Sequence, residues 1–278
     1  MPLVSGKELL NEAHKNKYAI GAFSVDHINS VEAVLTTAEK LESPVIVQTG
    51  QATLKQTKMN YLASIIKEKA SEMKIPIALH LDHGNGLDQS VQAIQSGYTS
   101  IMFDGSQYEI KKNITITKKI REITSAINLP LEAELGKLGT VGKNEIRQLT
   151  DPDDAKMFVE ATKVDSLAVA LGNIHASYNK KVELNLEHLN LIHNLVGIPI
   201  VLHGGTGVDE TDVKKAISLG VSKVNIATEW RRSTIDYLRD YLSNSENNDF
   251  FAMNQGITQA ISKIVEEKIY LFGSEGKA

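Results

Sequence analysis

Eight short apolar runs, each followed by a stretch of helical period, set the tightest limit on how this chain can fold. The runs are "YAIGAF" (18–23), "PVIVQT" (44–49), "PIALHLD" (76–82), "SIMFD" (100–104), "PLEAEL" (130–135), "SLAVALG" (166–172), "PIVLHG" (199–204) and "KVNIAT" (223–228). Helical periodicity fills the intervals, for instance over 31–41, 61–73, 87–94 and 155–162. Several of these stretches stop at a glycine or just before a proline: Gly97, Pro130, Pro199 and Gly220. Strands rich in Val, Ile, Leu and Ala and separated by helices are buried on both faces, which calls for a parallel sheet with right-handed crossovers. Eight such units predict an α/β fold, a (β/α)8 TIM barrel. A doubly wound open sheet is the alternative, but "GAFSVDHINS" after the first strand carries no glycine-rich dinucleotide fingerprint. No linker-like composition divides 1–278, so one domain is expected, with 250–272 as an additional C-terminal helix outside the barrel.

A formal net charge of −4 without blocks of like charge leaves no electrostatic footprint for nucleic acid or for an acidic membrane surface. The chain has no cysteine, so a disulfide framework, a thiolate nucleophile and a thiolate metal site are excluded, and any metal must rely on His, Asp or Glu. The N-terminal "MPLVSGKELLNEAHKNK" interleaves Lys7, Glu8, Glu12 and Lys15 with apolar residues, the pattern of an amphipathic helix and not of a signal peptide. No segment has the roughly 18 consecutive apolar residues of a membrane span. A soluble cytoplasmic protein is expected.

In a barrel the C-terminal ends of the strands form one rim, where residues distant in sequence are read together. That rim would hold Asp82 and His83 after the third run, Asp104 after the fourth and Glu132 and Glu134 in the fifth. It would also hold His175, where the sixth run continues through "GNIH", His203 in the seventh, and Asn225 and Thr228 in the eighth. Three imidazoles with an open fourth position make a catalytic zinc site, which points to His83, His175 and His203 as ligands. His80 shares a strand face with Asp82 and reads as an orienting residue beneath the site. His14, His188 and His193 read as surface positions on helices, and His27 lies in the first rim loop.

After the seventh run, "HGGTGV" offers Gly204, Gly205 and Thr206 in a turn whose backbone N–H groups can bind an anion. "NIAT", from Asn225 through Ile226 and Ala227 to Thr228, adds a hydroxyl and the amides of a helix N-terminus. Loops in these two places are where such barrels often hold a phosphate, so a phosphorylated small molecule is the expected substrate.

With "MPLVSGKELL", "LHLDHG", "EAELGKLG", "TDPDDAKMFVEATKVDSLAVALG", "VLHGGTGV", "KAISLGVSKVNIATE" and "FGSEGKA", the sequence resembles the class II, metal-dependent ketose-bisphosphate aldolases over nearly its whole length. The resemblance implies reversible cleavage of a ketose 1,6-bisphosphate, fructose first, to dihydroxyacetone phosphate and glyceraldehyde 3-phosphate. Tagatose-bisphosphate and deoxy-ketogluconate-phosphate aldolases are the alternatives within the family. It implies His83, His175 and His203 as ligands of one catalytic Zn²⁺, Asp104 and Glu134 as a second or alternative metal site, and Asp82 as the acid that exchanges a proton with the aldehyde oxygen. It puts the dihydroxyacetone phosphate pocket at Gly204, Gly205 and Thr206 with Asn225, Ile226, Ala227 and Thr228, and the distal phosphate at Arg231. Ala176, where glycine is usual, borders the phosphate or a monovalent cation. A homodimer or homotetramer is implied as well. The chemistry accounts for the residue types: a Lewis acid stabilises the charge left by C3–C4 cleavage, and a positioned carboxylate moves the proton. The Schiff-base alternative needs a lysine projecting from a core strand, and none is read inside "SLAVALG" or another candidate strand.

The sequence departs from that pattern in places. A glutamate in a loop after "EAELG" usually moves the proton at the nucleophilic carbon, but "LGKLGTVGKNE" puts Gly142 there and Glu145 three residues on. Asn179 replaces a frequent lysine, with Lys180 and Lys181 beside it, and Ser24 and Gln107 replace a common asparagine and histidine. A slow aldolase or one with an unusual substrate is expected. The competing readings are a metal-dependent hydrolase on the same rim and a sugar-phosphate-binding homologue with impaired catalysis.

Overall fold

Eight parallel strands close on themselves in the computed structural model, which describes residues 3–140, 148–175, 182–243, 246 and 248–278. In chain order the strands are β1 (Ile20–Ser24), β2 (Val45–Thr49), β3 (Ile77–Gly84), β4 (Ser100–Phe103), β5 (Leu131–Leu135), β6 (Gly139–Thr140), β7 (Ser166–Val169), β8 (Ile174–His175), β9 (Ile200–Leu202) and β10 (Val221–Ile226). β6 and β8 pair only with each other; the other eight follow one another round the barrel, and β1 on β10 closes it. Every residue of β1, β2, β4, β5, β7 and β9 is buried. One strand face looks into the barrel and the other onto the helices, which is why these segments read as continuous apolar runs.

The helix Phe250–Phe272 lies where the periodicity predicts it, packed on the helices Ile28–Lys40 and Thr228–Ser243 through buried Ile261, Val265, Ile269 and Phe272. The amphipathic N-terminal segment forms the helix Gly6–Asn16. Its Leu9, Leu10 and Ala13, with Tyr18, cluster with Ile20, Ala22, Ile46 and Ala78, so the helix plugs the N-terminal mouth of the barrel. Among the described residues no helix is long and apolar enough to cross a membrane.

Three local features depart from the sequence reading. β7 stops at Val169, and His175 belongs to the separate strand β8, because Gly172 turns the chain at φ 96. β10 starts two residues earlier than the "KVNIAT" run suggests, at Val221. β3 slips register against β4 between Leu81 and Gly84, and His83 sits there at φ 49, a left-handed conformation rare for a residue with a β-carbon. Such a bulge re-aims a side chain, here turning His83 towards the barrel mouth beside Asp82. Gly84 makes the bulge feasible, since a β-carbon there would lie 2.3 Å from the Met102 carbonyl oxygen.

Candidate functional site

Above the apolar plug the barrel interior carries polar side chains in two tiers. The lower tier is His80 on β3, Ser100 on β4, Glu132 on β5 and Lys223 on β10, all buried. The upper tier is Asp82 and His83 at the end of β3, Asp104 just past β4, Glu134 on β5, His203 just past β9 and Asn225 on β10. Alternation along β3, β5 and β10 puts residues two apart on one face, so the pairs His80/Asp82, Glu132/Glu134 and Lys223/Asn225 each give one group to each tier, and the bulge in β3 adds His83 to the upper one.

His83 Nδ1 donates to Asp104 Oδ2 at 2.8 Å, and His203 Nε2 donates to Glu132 Oε1 at 3.2 Å. Each ring therefore commits one N–H to a carboxylate and turns its other nitrogen inward, leaving His83 Nε2 and His203 Nδ1 3.1 Å apart. Asp82 Oδ1 stands 3.9 Å from His83 Nε2 and accepts from Asn225 Nδ2 at 2.9 Å across the barrel. Glu134 Oε2 is buried with no hydrogen-bond partner among the described residues and lies 3.5 Å from Nδ1 of both imidazoles. Among the described residues, Asp82, His83 and His203 form one set whose ligand atoms lie within 4.8 Å of one another, and His83, Asp104 and Glu134 form a second.

The backbone that carries the two rings is tied down by amide side chains. Gln51 Nε2 donates to the His83 carbonyl at 2.8 Å. Buried Asn173 donates to the His203 carbonyl at 2.6 Å and accepts from Leu171 N–H at 2.7 Å, clamping the end of β7 to the end of β9. Sequence reasoning passed over Asn173; its place in "GNIH" straight after Gly172 is the only signal that could have found it.

Charge is concentrated here. Burial alone would lower the His83 imidazole, but Asp82, Asp104 and Glu134 around it outweigh that and hold it up to about 10. Burial raises the Asp104 carboxyl, yet its contact with His83 and the hydrogen bonds from Ser106 win and bring it well below the ordinary carboxylate value. Glu134 is pushed well above that value by burial and by its neighbour Asp104. His80, buried next to Lys223, is held well below the usual imidazole value and is therefore neutral.

The register Leu202↔Val224 sets the turn after β9 beside the end of β10. Gly204 at φ 61 and Gly207 at φ 85 use left-handed conformations that favour glycine, and Thr206 is buried between them. Ile226 ends β10, Ala227 follows, and Thr228 opens the helix Thr228–Ser243, so Gly204, Gly205, Thr206 and the "NIAT" segment do meet at one side of the mouth. Arg231, on the first turn of that helix, is held by Asp26 through Nε at 2.6 Å and Nη2 at 2.9 Å, and Thr53 hydrogen-bonds the same carboxylate. The expected distal-phosphate cation thus already has an anionic partner, one that sequence reasoning missed.

His175 is placed by its backbone in β8, opposite Thr140 of β6. Its side chain, together with Ala176, Gly142, Glu145, Asn179, Lys180 and Lys181, lies outside the described residues. The other histidines are more engaged than surface positions would be. His188 donates to the Thr150 carbonyl at 2.6 Å, His14 reaches Ser222 Oγ at 3.2 Å with His193 Nε2 at 3.5 Å, and His27 caps the helix Ile28–Lys40.

Two readings need correcting. Glu132 is not a rim residue but lies a tier below, buried against Lys223. A lysine does stand in a core strand: Lys223, the residue that opens the "KVNIAT" run, projects into the barrel. Its ammonium is locked by both Glu132 oxygens at 2.8 and 3.0 Å and by His80 Nε2 at 3.1 Å. An amine so enclosed is not placed to attack a carbonyl at the mouth, so it is the enclosure of Lys223, and not the absence of a lysine, that speaks against a Schiff base.

The geometry is that of a His/carboxylate cluster able to hold a cation, with the buried Asp82 carboxylate beside it and a glycine turn at the same mouth. The family described as "Fructose-bisphosphate aldolase class-II" matches residues 4–277. The fructose-bisphosphate aldolase of Streptococcus pneumoniae is 36% identical over 300 residues, spanning 100% of both chains. The 6-phospho-5-dehydro-2-deoxy-D-gluconate aldolase of Halalkalibacterium halodurans is 36% identical and the sulfofructosephosphate aldolase of Alkalicoccus urumqiensis 34%, each over 100% of this chain and 99% of its own length. Among solved structures, the YdjI aldolase from Escherichia coli superposes with a TM-score of 0.90 at 33% identity, over 99% of each chain.

Proposed function

This chain belongs to the class II fructose-bisphosphate aldolase family and is an aldehyde-lyase, and from that premise we propose that it cleaves fructose 1,6-bisphosphate reversibly to dihydroxyacetone phosphate and glyceraldehyde 3-phosphate with the help of Zn²⁺. The observation that carries the proposal is the inward-facing pair, His83 Nε2 and His203 Nδ1, 3.1 Å apart with each opposite nitrogen backed by a carboxylate. Two ring nitrogens can face each other so closely only around a shared proton or a cation. A tetrahedral Zn²⁺ with imidazole nitrogens at about 2.0–2.1 Å would separate them by roughly 3.3–3.4 Å, so the donor set fits that ion. Glu134 Oε2, buried and without a hydrogen-bond partner among the described residues, is a further oxygen donor at hand.

His83 and His203, joined by His175, would hold the cation, with Asp104 and Glu134 as the second or alternative site. When bound, it supplies Lewis-acid stabilisation of the negative charge that develops as the C3–C4 bond breaks. Asp82 takes the C4 hydroxyl proton as that bond's electron pair passes to C3 and C4 becomes the aldehyde carbon; it returns the proton in the condensation direction. Asn225 keeps the Asp82 carboxylate aimed through the 2.9 Å hydrogen bond. The turn at Gly204, Gly205 and Thr206, with Asn225 to Thr228, anchors the phosphate of the dihydroxyacetone half and so fixes the reacting carbon. C3 must gain a proton to complete that half, and Glu145, three residues past Gly142, is the candidate to carry it. Arg231 would meet the distal phosphate only by leaving Asp26. The reading takes 1–278 as one domain of a cytoplasmic homodimer or homotetramer, with a monovalent cation near Ala176.

Chelation should abolish release of dihydroxyacetone phosphate, and Zn²⁺ or Co²⁺ should restore it, on a panel of fructose, tagatose, deoxy-ketogluconate and sulfofructose phosphates. Turnover that ignores chelation, or inorganic phosphate released without a triose, would sink the proposal. A second reading, a sugar-phosphate binder with impaired catalysis, draws on Gly142 standing where the loop glutamate is usual. Tight binding of dihydroxyacetone phosphate with no exchange of its C3 proton into deuterated water would decide for it.

A further inference from the structure

Lys223 and Glu132 are an ion pair shut inside the barrel, Lys223 at 0% and Glu132 at 2% exposure. They sit on β10 and β5, which are not neighbours in the closed order, so the pair crosses the interior. Desolvating two such charges is expensive, and an aliphatic pair of the same volume would serve the core at least as well. Stability alone therefore does not account for them. Their bonds do suggest a task. The Lys223 ammonium donates to Glu132 Oε1 at 3.0 Å, to Glu132 Oε2 at 2.8 Å and to His80 Nε2 at 3.1 Å. His80 in turn donates from Nδ1 to Ser100 Oγ at 2.8 Å, so the lysine head is gripped from two strands. Glu132, held from one side in this way, uses its remaining capacity on Oε1 to accept His203 Nε2–H at 3.2 Å.

We propose that Lys223 and Glu132 are positioning residues for His203, holding its imidazole so that Nε2 stays protonated and Nδ1 faces the divalent cation. The proposal rests on the reading of His83 and His203 as metal ligands. A carboxylate behind a ligating imidazole fixes both ring orientation and tautomer, and its loss typically weakens metal binding about 10–100-fold. The Lys223 contribution is indirect: without the ammonium, the Glu132 carboxylate loses the two hydrogen bonds that hold it across the barrel from His203.

The test uses full-length protein carrying Glu132→Gln with Lys223→Met, a pair that leaves no unpaired charge in the core. Co²⁺ affinity is measured against a competing chelator, with the visible Co²⁺ absorption spectrum and a melting curve on the same samples. The expected result is a melting temperature at or above that of the wild type, Co²⁺ affinity lowered about 10-fold or more, and an altered spectrum. Wild-type affinity and spectrum in a folded double variant would overturn the positioning role alone. A wild type that takes up no Co²⁺ would overturn the metal reading and this inference with it. Should the double variant fail to fold, NMR of ¹⁵N-labelled histidine in Zn²⁺-loaded wild-type protein still decides. Nε2 protonated on His203 supports the proposal, and Nδ1 protonated overturns it.

Discussion

Replacing Asp82 by Asn tests the proposed chemistry with little change of shape. The carboxylate is buried, 7% exposed, and its Oδ1 accepts from Asn225 Nδ2 at 2.9 Å. An asparagine can place its amide oxygen at the same point, so the β3 end should keep its conformation. What disappears is one negative charge and one exchangeable proton site. The charge lies 3.9 Å from His83 Nε2, a separation worth roughly 4 kcal/mol against a unit positive charge on that ring at an effective dielectric of about 20. The same charge would also attract a cation shared by the two rings, so its loss bears on metal affinity, and the assay is run at saturating Co²⁺ to remove that effect. Under those conditions the loss of proton transfer remains, on the order of 10²–10⁴ in kcat, which is about 2.7–5.4 kcal/mol of barrier. A coupled assay for dihydroxyacetone phosphate reads kcat and KM, with metal analysis confirming occupancy. If kcat at full metal loading stays within about 10-fold of the wild type, Asp82 is not the proton carrier and acts only through its charge.

In metal-stripped protein, His83 is held up to about 10 against an ordinary 6.5, so its protonated form stabilises the fold fully below pH 6.5 and that contribution is lost as the pH rises through about 10. The melting temperature should fall between pH 7 and 10 more steeply than in His83→Asn; parallel profiles would contradict this. Gly84→Ala puts a β-carbon 2.3 Å from the Met102 carbonyl oxygen, and a forced backbone shift of this kind costs roughly 1–3 kcal/mol. It should lower the melting temperature and weaken Co²⁺ binding together, because the bulge aims His83; a drop in stability with unchanged Co²⁺ affinity would separate the two. Asp26→Asn removes the charge that engages Arg231 through two nitrogens, so KM for a ketose bisphosphate should fall several-fold, while a substrate without the distal phosphate shows no change.

Much of the barrel was readable because its signal is local. The alternation of apolar runs and helical period follows from burying each strand on both faces, and all eight runs coincide with barrel strands to within a few residues. The helix Phe250–Phe272 was found the same way. His80 was placed correctly beneath the site because period-two alternation ties it to Asp82, two residues on. His14, His188 and His193 were misjudged because their partners, Ser222 and Thr150 among them, are far away in sequence.

By itself the sequence determined the eightfold βα order, the absence of thiol chemistry, and the residue types that gather at the strand ends, since each depends on composition or short-range period. Tertiary structure alone decided which nitrogen of each imidazole faces inward, because that depends on Asp104 and Glu132 approaching from other strands. It also decided that Lys223 is paired with Glu132 inside the barrel, and that Arg231 is engaged by Asp26. A side chain's protonation and direction are set by what surrounds it in space, and barrel closure brings together groups as distant along the chain as Asp82 and Asn225.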